Sequence, residues 1–302
     1  MVADASLIEQ YRERAVSHIM GVPRMRDNWN GRWRDEVLKR IGSKPDLRKL
    51  LDLGDDLSEI FLTTRGGGGR DQGSLAGAGV SWECLVCWYC NAYMLGSRVV
   101  FIKYKKSIIP EALRNAVTVK YGTVHATSEA DLVAIVFPKI GEYTKPRGRL
   151  SDSEFSEVTN RLADRHFGRH GLGIISCKTN WNDNAQVPML WDMVYTMGKI
   201  PQSKVTVGVS GHLLSSLDFT YSFVTVPTNR DPYKPTDINV QRVNSLSGGN
   251  YWGRATQRGI ADSIKEIFAK NFRKAYQDID MDKRDKVIGR MITERRYFGL
   301  RG

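Results

Sequence analysis

The first sixty residues carry apolar side chains at the spacing of α-helices. Between Ala3 and Met20 these side chains recur three or four positions apart, which predicts one amphipathic helix. Shorter helices are predicted over Arg34–Ile41 and Pro45–Leu53, because Gly42 and Gly54 stand where each would end. We therefore expect a helical N-terminal region.

A glycine-rich stretch separates these helices from a long apolar run. Four consecutive glycines lie within Arg65–Gly79, and a backbone of this composition loses much entropy when it is held in one conformation. We predict a flexible loop there. The run that follows, Val80–Leu95, is too long and too continuously apolar for anything but a buried helix.

Cys84, Cys87 and Cys90 are spaced three residues apart within this run and would line one side of the helix. Together with Cys177 they could form a thiolate metal cluster. Their neighbours are leucine, valine and aromatic residues, and free cysteine is among the most buried residue types. Core packing is the favoured interpretation.

The middle of the chain contains short runs rich in β-branched residues and bounded by turn residues, which predict strands. These runs are Arg98–Tyr104, Ala116–Gly122, Ala130–Pro138, Leu172–Lys178, Lys204–Gly211 and Asp218–Pro227. Helices are predicted between strands, one of them from about Pro188 to Met197, and the basic tail from Arg254 is mostly helical. The order predicts an α/β fold, with a mixed central β-sheet flanked by helices and helical additions at both ends.

One predicted helix begins at Ser151, where Glu154 stands at the spacing of a capping box. Its end contains His166 and His170, four positions apart. This is the spacing of a metal pair on a helix, but Gly168 lies between them. A cation near the helix C-terminus is the simpler interpretation.

The charge of the chain suggests the kind of partner. Lysine and arginine number 45 against 33 acidic residues, giving a net charge of +12 and a pI near 9.5. Such a surplus favours a polyanion, most often nucleic acid, although basic proteins without such a partner exist. No apolar run is long enough for a membrane span, the start lacks a signal-peptide core, and four cysteines suit a reducing compartment. We expect a cytoplasmic protein with no membrane partner.

A set of polar residues meets the ends of two predicted strands. Ser176 and Lys178 share one face of their strand, and Asp131 begins another apolar strand. If the two strands are neighbours, Asp131 and Lys178 lie side by side, and Asp192 could fold back over the same edge from the following helix. Carboxylates hold Mg²⁺, which activates water for attack on phosphorus, and a lysine can orient that water. The alternative is a capped strand end with a surface lysine.

This pattern resembles the PD-(D/E)xK nuclease motif. Asp131…Ser176-Cys177-Lys178…Asp192 is similar to a variant in some type II restriction endonucleases, where a small residue replaces the acid before the lysine. The acid then comes from the next helix, after thirteen intervening residues, as here. Ala130 replaces the usual proline, and Asp192 replaces the usual glutamate.

The resemblance implies a restriction-endonuclease-like core that uses Mg²⁺ to cleave double-stranded DNA at a specific short sequence as a homodimer. Asp131 and Asp192 would bind the metal, and Glu83, on the helix before the sheet, would assist. Lys178 would position or activate the water, and Ser176 would form hydrogen bonds near the site. The alternatives are a repair or mobile-element nuclease on the same core, and a non-catalytic DNA-binding protein.

DNA contacts are expected from a polar stretch, Thr228–Gly259, and from the turn after the catalytic lysine. Both carry side chains that bind phosphates and base edges, although a polar surface loop would look the same. The candidates are Asn182, Asp183, Asn184, Arg230, Lys234, Arg242, Tyr251, Arg254 and Arg258. Three regions of one compact domain follow: residues 1–79, helical and ending in the glycine loop; 80–228, the catalytic core; and 229–302, the DNA-contacting loop and C-terminal helices.

Overall fold

Helices surround two β-sheets in the computed structural model, which describes residues 5–64, 72–127, 130–179, 205–226, 233–247, 257–262, 264–276 and 281–300. The strands are β1 (Val99–Lys103), β2 (Thr118–Tyr121), β3 (Val124–Thr127), β4 (Leu132–Val136), β5 (Gly171–Lys178), β6 (Val205–Val209), β7 (His212–Leu213) and β8 (Asp218–Thr225). The α-helices before β4 are α1 (Leu7–Met20), α2 (Pro23–Asn28), α3 (Arg34–Ile41), α4 (Leu47–Asp52), α5 (Leu57–Leu62), α6 (Gln72–Tyr93) and α7 (Glu111–Ala116). Those after β4 are α8 (Gly141–Thr144), α9 (Asp152–Arg165), α10 (Ile238–Ser247), α11 (Ile264–Asn271), α12 (Arg273–Tyr276) and α13 (Met281–Glu294).

The main sheet has the strand order β1-β4-β5-β8. β4 runs antiparallel to both β1 and β5, whereas β8 is parallel to β5. Therefore β1, β5 and β8 all run in one direction, and their C-terminal ends lie at the same edge of the sheet. The smaller sheet, β3-β2-β6-β7, is antiparallel.

Both faces of the main sheet are buried. Alternate residues of β1 show this: Val99 and Phe101 pack in one apolar core, and Val100 and Ile102 in the other. The first core contains α6 and most of the N- and C-terminal helices, and the second contains α7, α9 and the start of α1. Such layering defines an α/β protein and confirms the predicted fold class.

Aromatic side chains join α6 to the helices around it. Trp29 and Trp33, at the two ends of a π-helical turn, are fully buried, and Trp29 packs on Trp88 with ring centroids 4.7 Å apart. Trp88 donates a hydrogen bond to the carbonyl of Phe298 (3.0 Å). Contacts with both the N-terminal and C-terminal helices thus fix the position of α6.

Several predicted elements are confirmed with ends that differ from the prediction by no more than four residues, including α1, α3, β1, β4, β5 and β8. The capping box at Ser151 is present, with Glu154 bonded back to the Ser151 backbone. The predicted loop was wrong for Gln72–Gly79, which forms the start of α6. The helix predicted near Pro188–Met197 lies outside the described residues. No helix in the described parts of the chain is long and apolar enough to cross a membrane.

His170 is not the helix-end cation that the sequence suggested. Its side chain is buried, its Nδ1 lies 3.0 Å from the carbonyl of His166, and its Nε2 lies 3.1 Å from the Tyr143 hydroxyl. Because the carbonyl can only accept, Nδ1 carries the proton. Burial lowers the pKa of His170 from 6.5 to about 4, so the ring is neutral at pH 7.

Candidate active site

Two lysines end two strands at one edge of the main sheet. Lys103 is the last residue of β1 and Lys178 the last residue of β5. Asp131 directly precedes β4, which begins at this edge because it is antiparallel to both. The pairing of β4 with β5, which the sequence analysis needed in order to bring Asp131 and Lys178 together, is confirmed.

Hydrogen bonds fix the Asp131 carboxylate against β5. Leu132 of β4 lies opposite Ile175 of β5. Because the two strands are antiparallel, Asp131, one residue before Leu132, lies beside Ser176. Its Oδ2 accepts hydrogen bonds from the backbone N–H of Cys177 (2.7 Å) and from the Ser176 hydroxyl (3.3 Å). The carboxylate is therefore oriented by the strand that ends in Lys178.

α6 brings a second carboxylate, Glu83, to the same edge. The preceding residue, Trp82, donates its indole N–H to the carbonyl of Val224 near the end of β8 (3.2 Å). Further along the helix, Asn91 accepts from the backbone N–H of Phe101 (3.1 Å) and donates to its carbonyl (2.7 Å). These contacts with β8 and β1 set the position of the helix on the sheet.

Glu83 forms an ion pair with Lys103, and both side chains are largely buried. Burial raises the pKa of the Glu83 carboxyl, and the negative charge of Asp131 raises it further. Lys103 and Lys178 act in the opposite direction. The two carboxylates and two lysines therefore form one electrostatic cluster, which we call the edge cluster.

The Asp131 carboxyl, like that of Glu83, is desolvated and lies close to a lysine charge. Burial raises the pKa of its carboxyl, and the charge of Lys178 is the largest opposing influence, followed by the hydrogen bond from Cys177. Two desolvated carboxylates close to one another are stabilised in their ionised forms by added positive charge. Lys103 and Lys178 supply this charge in the structure, and a cation bound at the edge cluster would compete with them.

Ser176 links Asp131 to a buried phenol. The Tyr221 side chain forms a hydrogen bond with Ser176, and burial raises the pKa of this phenol. Tyr221 is on β8, and Ser176 shares its face of the sheet with Ile174, which is opposite Tyr221. Ser176 is therefore part of the hydrogen-bonded support of Asp131.

Glu83 and Asp131 offer the hard oxygen atoms that Mg²⁺ prefers, so these residues fit such an ion. Among the described residues, no group of three or more histidine, cysteine, aspartate or glutamate side chains could hold a metal. The third predicted ligand, Asp192, lies outside the described residues. The edge cluster therefore contains two of the three residues that were predicted as metal ligands.

The structure describes few of the predicted DNA contacts. Lys234 is exposed, and Arg258 is exposed in a turn. The segment that contains Lys234 contacts the segment that contains Arg258, because a Cβ on Gly259 would lie 3.1 Å from the Pro235 ring. Arg242 lies on α10. The candidates outside the described residues are Asn182, Asp183, Asn184, Arg230, Tyr251 and Arg254.

Sequence reasoning missed Lys103 and Tyr221. Lys103 ends the run Arg98–Tyr104 just as Lys178 ends Leu172–Lys178, so a signal for a second lysine was present. Only the direction of β1 relative to β5 places both lysines at one edge. Tyr221 sits within an apolar strand and carries no such signal.

The cysteines pack in the core, as predicted. Cys84, Cys87, Cys90 and Cys177 are all buried and free of disulfides. Burial raises the pKa of each thiol, to about 12 for Cys84, which keeps them protonated at pH 7. All four lie within the apolar core, so the edge cluster is the better candidate for function.

Comparisons with known proteins leave the edge cluster as the main guide to function. A scan against protein-family models matches no family, and a search of curated proteins finds no match.

Proposed function

We propose that this protein is a Mg²⁺-dependent endonuclease that hydrolyses double-stranded DNA at a specific short sequence, as a type II restriction enzyme does. The observation that carries the proposal is the convergence of Glu83, Asp131 and Lys178 at one edge of the main sheet. Asp131 and Lys178 belong to the motif that resembles PD-(D/E)xK nucleases. Their proximity is what phosphodiester hydrolysis at this motif requires.

Asp131 would be the main fixed ligand. The Cys177 N–H and the Ser176 hydroxyl hold its Oδ2, which limits rotation of the carboxylate and leaves Oδ1 for a cation. Glu83 would contribute a second oxygen, and Asp192 the third. When bound at these residues, Mg²⁺ would lower the pKa of a water molecule and stabilise negative charge on the phosphate.

Lys178 would act on the reacting groups themselves. It is half-buried, and its charge acts on both Asp131 and Glu83. An ammonium group there can orient the attacking water and offset the charge that develops on phosphorus in the transition state. Its contribution is expected in the rate of cleavage rather than in DNA affinity.

The charge of the chain supports a DNA substrate. A net charge of +12 favours association with a phosphate backbone, and the exposed Lys234 and Arg258 lie on adjoining segments. A homodimer would match the two-fold symmetry of a palindromic site. We place the protein in the cytoplasm, where its DNA substrate would be found.

A plasmid digest tests the proposal. We expect discrete fragments in Mg²⁺ buffer, with one short sequence shared by the fragment ends. Smearing or branch-specific nicking would indicate a repair nuclease instead. Absence of cleavage with Mg²⁺, Mn²⁺ and Co²⁺ would contradict the assignment and leave a DNA-binding protein.

Lys178→Ala tests the active site within the same assay. Cleavage should be abolished while specific DNA binding stays within about tenfold, because a transition-state interaction is lost rather than a positioning one. Lys106→Ala is the matched control, since Lys106 is exposed and lies outside the edge cluster. Near-normal cleavage by Lys178→Ala would show that the active site lies elsewhere.

A further inference from the structure

A cleft of about 740 Å³ opens at the opposite edge of the main sheet from the edge cluster. Gly171 and Asp218, which begin β5 and β8, line it on one side, and α11 and α12 line it on the other. Seven residue steps of β5 separate Gly171 from Lys178, or about 23 Å at the rise of a β-strand. A ligand in this cleft would not touch the candidate active site.

The cleft is strongly basic. Six of its lining residues are cationic and one, Asp218, is acidic; the cations are Arg98, Lys139, Arg169, Lys270, Arg273 and Lys274. Such an excess within one concave surface creates a positive potential that attracts anions.

Several of these cations already have structural partners. Arg98 donates to the backbone carbonyls of Phe137 and Lys274, and Lys274 forms an ion pair with Asp218. Lys270 forms an ion pair with Asp262, with 3.7 Å between Nζ and Oδ2. In contrast, Arg169 and Arg273 are exposed and form no ion pair with any group in the described parts of the chain. These two guanidinium groups remain available to a ligand.

The rest of the lining combines apolar and polar groups. Phe219 is half-buried whereas Phe272 is buried, so Phe219 supplies the aromatic surface of the cleft. Thr220 adds a hydroxyl. Gly171 allows β4 and β5 to pack closely beside the cleft, because a Cβ there would lie 3.1 Å from the Val136 Cβ. A ligand with both a flat apolar part and a strongly anionic part matches this lining.

We propose that this cleft binds a nucleoside phosphate. Guanidinium groups bind phosphate oxygens in bidentate geometry, and Arg169 and Arg273 would supply this recognition. The base would pack on the aromatic surface of Phe219. The volume lies within the range of about 300–1,000 Å³ that is typical of small-molecule sites, and exceeds what an inorganic phosphate needs.

Isothermal titration calorimetry with ATP on the full chain tests the proposal. The buffer contains EDTA, so that binding cannot depend on a metal at the edge cluster. We expect saturable binding that the double variant Arg169→Ala/Arg273→Ala weakens at least tenfold. The double variant Lys39→Ala/Lys106→Ala removes the same charge from exposed positions outside the cleft and should bind ATP like the unmodified protein.

Several results would overturn the proposal, among them no ATP binding at millimolar concentration, equal loss in both double variants, or pyrophosphate binding as tightly as ATP. The last would mean that the nucleoside contributes nothing. A short DNA duplex that competes with ATP for the cleft would assign this surface to DNA instead. Because no step involves cleavage, failure here leaves the proposed endonuclease activity untouched, and the reverse also holds.

Discussion

Replacing Lys103 with methionine tests the ion pair that holds Glu83. The change keeps most of the apolar stem and removes the ammonium, so Glu83 keeps its burial and loses its partner. Two unit charges about 3 Å apart interact by about 5–6 kcal/mol at an effective dielectric constant of about 20. The side chains are 20% and 16% exposed, so solvent screening and the desolvation already incurred offset part of this.

We expect a loss of about 1–3 kcal/mol in the free energy of unfolding, below the roughly 3–5 kcal/mol typical of a fully buried pair. For a chain of this size the loss corresponds to a decrease in Tm of about 2–6 °C. Urea and thermal unfolding without divalent cations measure both values. Lys103→Arg should retain most of the stability, and Lys106→Met should leave it unchanged.

A double-mutant cycle with Glu83→Gln isolates the pair. In the Glu83→Gln background, where residue 83 carries no charge, Lys103→Met should lower the free energy of unfolding much less. The difference gives a coupling energy of about 1 kcal/mol or more. Mg²⁺ should also stabilise Lys103→Met more than the unmodified protein, because a cation can then reach Glu83 without displacing an ammonium. A coupling energy near zero would refute the ion pair as a stabilising contact. Equal stabilisation of both proteins by Mg²⁺ would refute competition between Lys103 and the metal.

Three further predictions follow from the site and the core. Asp192→Ala should abolish Mg²⁺-dependent cleavage while Asp192→Glu keeps measurable activity with Mn²⁺ in a plasmid assay; wild-type cleavage by Asp192→Ala would exclude Asp192 as a ligand. Affinity for non-cognate DNA should fall steeply between about 50 and 200 mM salt in an anisotropy titration, because released counterions drive binding, and a flat response would contradict a phosphate-binding role for the net charge. His170, whose pKa falls from 6.5 to about 4 on folding, contributes stability above pH 6.5 that is lost as pH decreases toward 4. This loss should reach about 3 kcal/mol in urea unfolding, and His170→Gln should flatten the pH dependence; an unchanged profile would show that the ring does not control it.

The sequence predicted those parts of the fold that local pattern controls. β-Branched runs located β1, β4, β5 and β8, and capping chemistry located the start of α9. It failed where tertiary contacts override local preference. The residues Gln72–Gly79 are glycine-rich, yet they continue into the apolar run that α6 buries against the sheet. Hydrophobic burial of one long helix outweighs the backbone entropy of a few glycines.

The residues of the candidate site also differ in whether local sequence pattern could predict them. Asp131, Ser176 and Lys178 could be predicted because alternation along a strand and one assumed strand pairing bring them together. Glu83 was predicted from the resemblance to nucleases, and nothing in the local pattern of α6 indicates which of its residues reaches the sheet edge. Predicting Lys103 as a site residue would have required the strand order, because a lysine at the end of a strand is equally common where the strand simply enters solvent.

The hydrogen bonds between Asn91 and Phe101 also constrain how copies of this chain can assemble. β1 is an outer strand of the main sheet, and such a strand normally offers unpaired N–H and C=O groups to another chain. Asn91 satisfies both groups of Phe101 at the centre of that strand. A second copy could extend the sheet through β1 only by breaking both of these buried hydrogen bonds. Self-association of the folded protein through β1 is therefore disfavoured, which protects this edge of the sheet against edge-to-edge aggregation.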